Sequence, residues 1–253
     1  MFVMRILTLV LSIFLLLLIA PVAFATDDIT KELMQSGGKP RVYYLYVPSN
    51  IQRSTTVPLV VMLHAMNRTG NIMVEKWKDL AKKEGFIIVG PDAIDVKGGW
   101  KAPQDGPEFL HDLVEELKGK YPVNPRRVYL FGHSNGATFA LEMSLLESQY
   151  FAATAVHAGA LMDEDKDWVE LAKRKIPMFI QAGEWDDVYP IKVVRDTRDL
   201  LKTSGFPIQL TEMKEHDHWY YDLAPKINQT AWDFLKVHAL EADPVYRKFN
   251  FDG

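Results

Sequence analysis

The chain has 253 residues, no cysteine and a formal net charge of −4. A charge this close to neutral gives no indication of binding to nucleic acid or to an anionic membrane. The absence of cysteine excludes disulfides, a thiol nucleophile and thiolate metal ligands. Because no repeat, low-complexity tract or linker-like composition interrupts the chain, we expect one domain with a sizeable core.

The N-terminal segment has the pattern of a secretory signal peptide. Arg5 precedes an apolar stretch at residues 6–20, and the small residues Ala23 and Ala25 flank Phe24. This stretch is shorter than the roughly 20 residues that a membrane-spanning helix needs, which favours cleavage over an uncleaved anchor. We therefore expect a signal peptide at residues 1–25, a mature domain at residues 26–253, and a secreted or periplasmic protein without stable membrane insertion.

Strands and helices alternate along the rest of the chain. Residues 41–48 alternate in polarity and end in a proline, which predicts an edge strand. Residues 58–64 and 86–90 are continuous apolar runs, typical of parallel strands covered on both faces. Further strands are predicted at residues 127–131, 152–157, 176–182 and 208–213, and helices around residues 77–81, 110–117, 137–143, 168–175, 193–203 and 227–237. This alternation predicts an α/β fold with a mostly parallel central sheet and helices on both faces.

The most informative motif is the pentapeptide Gly132-His133-Ser134-Asn135-Gly136, which lies between an apolar strand and an amphipathic helix. This setting is typical of a nucleophile elbow, a sharp strand-to-helix turn that exposes a serine hydroxyl. The two glycines keep Cβ atoms away from the crowded turn. Ser134 is therefore the candidate nucleophile, and it needs a histidine base that is oriented by a carboxylate.

The candidate carboxylates lie in the loop after the strand predicted at residues 176–182. Glu184, Asp186 and Asp187 all follow this strand directly, and the chain order Ser, acid, His is that of α/β-hydrolases. The spacing after the strand favours Asp186. Asp187 is the main alternative, although it is also a good N-cap for the next helix, and Glu184 comes third.

Two candidate bases, His216 and His218, follow the last predicted strand and precede the closing helix. Only one of them can be the base for Ser134. We favour His218, because the aromatic residues that follow it can form a partly dry wall that strengthens hydrogen bonds. His216 is the alternative.

Four segments together resemble the polyhydroxybutyrate depolymerase and feruloyl esterase-like group of α/β-hydrolases. They are residues 63–67, 132–136, 183–190 and 217–221, and the last is similar to the Asp-His-x-Tyr-Tyr segment of esterase D-type proteins. The resemblance implies an oxyanion hole formed by the backbone amides of Met66 and Asn135. This chain has Ala65 where the family usually has glycine, so the loop that carries Met66 is expected to turn differently.

Several other side chains are candidates for the substrate pocket. Trp100, Trp185 and Trp219 can shape an acyl or aromatic pocket, and Trp219 is nearest in sequence to the favoured base. His157, at the end of a predicted strand, either lines the pocket or pairs with buried polar groups. His64 is expected to tie its own loop together rather than to touch substrate.

One acidic segment has a spacing that is also found in metal sites. Asp163, Asp165 and Asp167 have the spacing that begins a calcium loop, but the glycine and the terminal glutamate of such a loop are missing. We expect this segment to start a helix instead. We expect neither a metal nor a cofactor, because ester hydrolysis by serine, histidine and aspartate requires neither.

Together these features predict an exported serine esterase of the α/β-hydrolase fold, which cleaves carboxylic esters through Ser134, His218, Asp186 and an acyl-enzyme. The connection at residues 159–176 is too short for a large lid, so we expect an open site for a small-molecule or polymer-linked ester. A serine peptidase or amidase is the alternative among enzymes. A non-catalytic binding protein that retains the fold is the alternative from another class.

Overall fold

The structure, a computed structural model, describes residues 27–251. The predicted signal peptide at residues 1–25 lies outside the described residues. The strands are β1 (Thr30–Ser36), β2 (Lys39–Tyr46), β3 (Val57–Leu63), β4 (Ile87–Pro91), β5 (Val123–His133), β6 (Ala153–His157), β7 (Met178–Gly183) and β8 (Ile208–Met213). The helices are α1 (Gly70–Glu84), α2 (Pro107–Lys120), α3 (Asn135–Leu146), α4 (Ile191–Thr203) and α5 (Ala224–Leu235), and a 3₁₀ helix spans Asp163–Leu171.

These strands form one sheet in the order β1-β2-β4-β3-β5-β6-β7-β8. β2 is antiparallel to both of its neighbours, β1 and β4, and the remaining pairs are parallel. The prediction of a mostly parallel sheet is therefore confirmed.

Helices cover both faces of the sheet. Alternate residues of β3 point to opposite faces, as the pleat of a strand requires. Leu59 and Leu63 belong to a hydrophobic core that includes residues of α2, α3 and α4. Val60 and Met62 belong to a second core that includes residues of α1 and α5. Because β3 is buried on both faces, its sequence is a continuous apolar run without alternation.

The strand predicted at residues 41–48 is not at the edge of the sheet, and this prediction was wrong. β1, which was not predicted, pairs with β2 and forms the edge. The two strands are joined by Gly37 and Gly38, whose φ angles of 54° and 72° suit a two-residue hairpin turn. The Gly-Gly dipeptide was the available sequence signal, but β1 is partly exposed and its apolar residues are few.

Two helix predictions also require correction. The segment predicted as a helix around residues 168–175 is a 3₁₀ helix at Asp163–Leu171, so it starts in the acidic segment, as expected for Asp163, Asp165 and Asp167, and ends earlier than predicted. α3, predicted to be amphipathic, is instead buried on almost every side. It packs between β5, β6 and the 3₁₀ helix, so it has little surface to expose to water.

The C-terminal tail packs along the domain. The Leu240 amide donates to Arg126 O (2.9 Å), and the amides of Arg247 and Phe249 donate to the Glu147 carboxylate. Tyr246 stacks on His111 with the ring centroids 3.9 Å apart. Among residues 27–251, the helices all fall short of the length and apolar character that crossing a bilayer demands.

Candidate active site

Ser134 is the single residue between β5 and α3, and its backbone conformation is strained. Its φ of 58° and ψ of −126° lie in a region that residues other than glycine rarely adopt. Such strain costs on the order of 1–3 kcal/mol and persists only where the surroundings enforce it. Here the Ser134 amide donates a hydrogen bond to His157 O (3.1 Å), which ties the turn to the neighbouring strand β6.

The two glycines of the pentapeptide are required by close backbone contacts. A Cβ on Gly132 would lie 2.1 Å from Gly136 O, and a Cβ on Gly136 would lie 2.2 Å from Leu63 O. Both distances are much shorter than a van der Waals contact, and the obstructing atoms belong to the backbone. The steric reason predicted for these glycines is therefore confirmed.

Asp186, His218 and Ser134 form a continuous series of hydrogen bonds. His218 Nδ1 lies 2.9 Å from Asp186 Oδ2, and His218 Nε2 lies 2.8 Å from Ser134 Oγ. Because an ionised carboxylate only accepts, Nδ1 carries the proton, and Nε2 is left as the acceptor for the Ser134 hydroxyl. An imidazole in this position can take the serine proton while the carboxylate stabilises the imidazolium that forms.

Asp186 is held in its charged form by its loop. Its side chain is fully buried, and Oδ1 accepts hydrogen bonds from the amides of Val188 (2.9 Å) and Tyr189 (2.8 Å). Burial raises the pKa of Asp186, but the His218 hydrogen bond and the loop amides outweigh it, and the pKa lies below its usual value. Asp186 is therefore a carboxylate at neutral pH.

The alternative candidates lie elsewhere. Glu184 and Asp187 are exposed, and within residues 27–251 neither of them is hydrogen bonded to His218. His216 is buried and its Nε2 lies 2.9 Å from His157 Nε2. Of the two histidines, it is His218 whose ring contacts Ser134 Oγ.

Tyr189 is a residue of this site that the sequence did not reveal. Its ring lies parallel to the His218 ring, with the centroids 5.9 Å apart and an interplanar angle of 13°. Its hydroxyl lies 3.0 Å from Thr138 Oγ1, a contact that holds the outer end of the ring in place. Nothing in the sequence distinguishes this tyrosine except its position three residues after Asp186.

Met66 and Asn135, predicted to form the oxyanion hole, both approach Gly99. A Cβ on Gly99 would lie 2.2 Å from Asn135 Oδ1 and 2.7 Å from Met66 Cγ. Asn135 Oδ1 accepts a hydrogen bond from the Trp100 amide (2.6 Å), which joins this loop to the Ser134 turn. Within residues 27–251 the amides of Met66 and Asn135 donate no hydrogen bond, so both are free to donate to a ligand.

The loop that carries Met66 has its left-handed residue at Asn67, and not at Ala65, the position where the resembling family usually has glycine. Asn67 has a φ of 56°, whereas Ala65 is not in the left-handed region. Asparagine tolerates this conformation better than alanine does. His64 ties the loop together, as predicted: its Nδ1 lies 2.8 Å from Ala65 O, and its Nε2 accepts from the Ala93 amide (3.0 Å).

The four predicted pocket residues differ in exposure. His157 is completely buried, so it does not line a pocket; it pairs with buried polar groups, the second of its two predicted roles. Trp100 is also buried, and its Nε1 donates to His64 O (2.9 Å). Trp185 and Trp219 are 64% and 46% exposed.

A cleft of about 540 Å³ lies beside the Ser134 turn. Trp100 contributes to its lining, but Trp185 and Trp219 do not. The lining is a mixture of aromatic, polar and acidic side chains: Trp100, Lys101, Ala102, Gln104, Asn135, Thr138, Glu142, Met162, Glu164, Asp165, Trp168 and Tyr189. The 3₁₀ helix supplies Glu164, Asp165 and Trp168, so the connection after β6 forms one wall of the cleft.

Two carboxyl groups in this cleft influence each other. Burial raises the pKa of Glu142, and the neighbouring Asp165 raises it further. Burial also raises the pKa of Asp165. Since two carboxylates in contact repel each other unless they share a proton, Glu142 holds a proton more tightly than an exposed glutamate does.

Comparison with known proteins gives matches to esterases. Residues 101–238 match the model of the phospholipase/carboxylesterase family. A bifunctional acetylxylan esterase/xylanase from Neocallimastix patriciarum is 28% identical over 156 residues, which cover 60% of this chain and 22% of that protein. A probable acetylxylan esterase A from Aspergillus clavatus is 26% identical over 127 residues, 46% of this chain and 41% of that protein. This chain thus spans less than half the length of either relative.

A solved structure shares the fold. The ferulic acid esterase from Anaeromyces mucronatus, determined with ferulic acid, superposes with a TM-score of 0.63 and 19% sequence identity. The superposition covers 86% of this chain and 95% of that one. The family match extends over more than half of the chain and includes Ser134, Asp186 and His218. The chain therefore belongs to the phospholipase/carboxylesterase family of α/β-hydrolases.

Proposed function

We propose that this protein is an exported serine esterase, in which Ser134 is the nucleophile, His218 the general base and Asp186 the residue that orients His218. The observation that carries the proposal is the series of hydrogen bonds from buried Asp186 through His218 to Ser134 Oγ. Family membership supports the same reaction type. The strained turn at Ser134 is a further supporting feature, because strain of this kind is concentrated at active sites.

In the proposed reaction, Ser134 Oγ attacks the acyl carbonyl while its proton moves to His218 Nε2. The tetrahedral intermediate collapses when the bond to the alcohol oxygen breaks, and His218 gives its proton to the departing alcohol. Water then attacks the acyl-enzyme, His218 takes one of its protons, and the carboxylic acid is released as Ser134 regains its hydrogen.

The proposed oxyanion hole consists of the amides of Met66 and Asn135. Their lack of partners among the described residues supports this role. The Asn135 amide is also the first of α3, so the positive end of the helix dipole favours a developing oxyanion there.

For the substrate, we propose an ester between a carboxylic acid and a hydroxyl group of a carbohydrate. The proteins similar to this chain include acetylxylan esterases and a ferulic acid esterase. The lining of the cleft supports this choice, because Trp168 and Tyr189 offer apolar ring faces while the exposed Lys101 and Gln104 offer hydrogen-bonding groups. Trp185 and Trp219 remain proposed contacts for parts of a substrate that extend beyond the cleft.

The proposal includes export. Residues 1–25 act as a cleaved signal peptide, and residues 26–253 form one catalytic domain in a secreted or periplasmic protein. N-terminal sequencing of the exported protein checks this part: a first residue at Thr26 supports it, and an intact Met1 contradicts it.

The central experiment compares wild type with Ser134→Ala. We expect turnover of a short acyl ester to fall by about a millionfold, as in other hydrolases that lose their nucleophile, and labelling by a fluorophosphonate to disappear. Retained labelling or turnover in folded Ser134→Ala would refute the assignment.

A second experiment tests the substrate class. The panel consists of acetylated and feruloylated sugars, a hydroxybutyrate oligomer and a peptide amide. Faster cleavage of the last two than of the sugar esters would contradict the proposed substrate class.

A further inference from the structure

Three histidines that the proposed reaction does not use form a chain behind His218. His216 Nε2 lies 2.9 Å from His157 Nε2, and His157 Nδ1 lies 3.1 Å from His133 Nδ1. The His133 ring is in turn 5.1 Å from the His218 ring, measured between centroids. All three are buried: 2% of His133, none of His157 and 7% of His216 is exposed.

The sheet brings these histidines together. His133 and His157 are register partners at the ends of the parallel strands β5 and β6, so their side chains lie on the same face. His216 comes from the loop after β8 and reaches His157 across the end of β7. Gly183, the last residue of β7, makes this crossing possible, because a Cβ there would lie 2.1 Å from His216 O.

The hydrogen-bond partners determine the tautomers. His133 Nδ1 also lies 3.3 Å from His157 O, which can only accept, so His133 Nδ1 carries the proton. His157 Nδ1 is then an acceptor and His157 Nε2 donates to His216 Nε2. A second proton on His157, at Nδ1, would face the N–H of His133, and a second proton on His216, at Nε2, would face the N–H of His157. His157 and His216 are therefore neutral, and burial lowers the pKa of His133 to about 3, so His133 is neutral as well.

The surroundings favour the neutral forms. Burial lowers the pKa of all three histidines, and His218 on the Ser134 side lowers it further. The charges of Asp217 and Asp186 raise the pKa of His216, whereas the charge of Lys226 on α5 lowers it, as burial does. The rings of Tyr220 and Tyr221 cover His133, and Tyr220 also contacts His157.

The loop that carries His216 and His218 needs such an anchor. Glu215, directly before His216, has a φ of 55°, a left-handed conformation that is unfavourable for glutamate. His218 lies two residues after His216 and is partly exposed. Its ring lies between His133 and Tyr189, so a shift of the loop would move Nε2 away from Ser134 Oγ.

We propose that His216 is a positioning residue for His218, and that the chain through His157 to His133 ties the base-carrying loop to the strand that ends at the nucleophile. This inference rests on the proposed function. It predicts that loss of the His216–His157 hydrogen bond lowers the rate of the chemical step and leaves ester binding unchanged.

The test uses His216→Phe, which keeps a ring of similar size and removes both nitrogens. We expect kcat per active site, counted by end-point fluorophosphonate labelling, to fall by about 100-fold, because small displacements of catalytic groups have effects of this order. KM should stay within about twofold. His216→Gln, whose amide oxygen can accept from His157, should recover most of the loss. His111→Phe is the matched control, since His111 lies on α2 and stacks on Tyr246.

The outcomes separate this inference from the proposed function. Full kcat in His216→Phe, with Ser134→Ala inactive, overturns the positioning role and leaves the esterase intact. Activity in Ser134→Ala refutes the proposed function itself. Imidazole ¹⁵N NMR of the wild-type protein provides a readout that needs no variant to fold. His157 must be neutral and protonated on Nε2 at pH 7, and any other form overturns the inference.

Discussion

The carboxylate of Asp186 uses its two oxygens for different partners: Oδ2 accepts from His218 Nδ1 at 2.9 Å, and Oδ1 accepts from two amides of its own loop. The loop thus fixes the carboxylate, and the carboxylate fixes the imidazole. Asp187, the next residue, is exposed to solvent. Two adjacent aspartates therefore differ completely in what they can do for His218.

Asp186→Asn should lower turnover by about 10,000-fold, because an amide that donates to Nδ1 favours the wrong imidazole tautomer. Asp187→Asn is the matched control and should change turnover by less than about threefold, since an exposed side chain without a contact to His218 has no route to the reaction. Steady-state kinetics on a short acyl ester measures both. The opposite ranking would transfer the orienting role to Asp187.

Gly99→Ala should lower kcat by at least about tenfold with little change in KM, because the added Cβ would displace Asn135 and Met66, whose amides are the proposed oxyanion donors. Gly38→Ala is the control: its φ of 72° is close to the 74° of Gly99, but nothing lies within 4 Å of the added Cβ. Equal effects of the two substitutions on kcat would mean that backbone strain alone, and not the oxyanion loop, is responsible.

The protein should lose stability as the pH falls below about 6.5. Five histidines have a lowered pKa in the folded state, His64, His133, His157, His216 and His238, and burial is the main cause for each. The unfolded chain therefore binds more protons than the folded one, and the unfolding free energy decreases with acidity. Buried His133 and His157 alone should contribute about 2–3 kcal/mol per pH unit below 6.

Denaturant unfolding of the Glu142→Gln variant between pH 7.5 and 5 measures this dependence. The substitution removes Glu142, whose raised pKa would change the stability in the opposite direction, and few carboxylates of ordinary pKa titrate in this range. A free energy of unfolding that stays constant over this range would show that the buried histidines are protonated in the folded state, contrary to the neutral chain of His133, His157 and His216.

Glu142→Gln should stabilise the protein at alkaline pH. The pKa of Glu142 is raised by burial and by Asp165, so the stability that its protonated form provides is lost as the pH rises through its folded pKa. Glutamine stays neutral, and the variant should gain about 1–3 kcal/mol over wild type at pH 9 and much less at pH 5. Thermal unfolding across this range measures the gain. Glu164→Gln, at an exposed position of the same cleft, should show no such trend.

Local sequence patterns predict much of this architecture. The apolar runs of the central strands, the alternation with helices and the Gly132–Gly136 pentapeptide each depend on neighbouring residues, so the α/β fold and the Ser134 turn could be predicted. The chain order serine, acid, histidine also pointed to Ser134, Asp186 and His218 as candidates for the site. β1 was missed because an edge strand that is partly exposed has no continuous apolar run.

Other features arise only from contacts between residues distant in sequence. The choice between His216 and His218 depends on which ring the folded loop turns toward Ser134 and which toward His157. The burial of His157, the stacking of Tyr189 on His218 and the interaction of Glu142 with Asp165 likewise depend on contacts between separate elements. The sequence by itself determined the fold class and the chemical types at the site, because these follow from local periodicity and turn sterics. The tertiary structure decided which side chains meet, because distance, burial and tautomer depend on how the strands are ordered in the sheet.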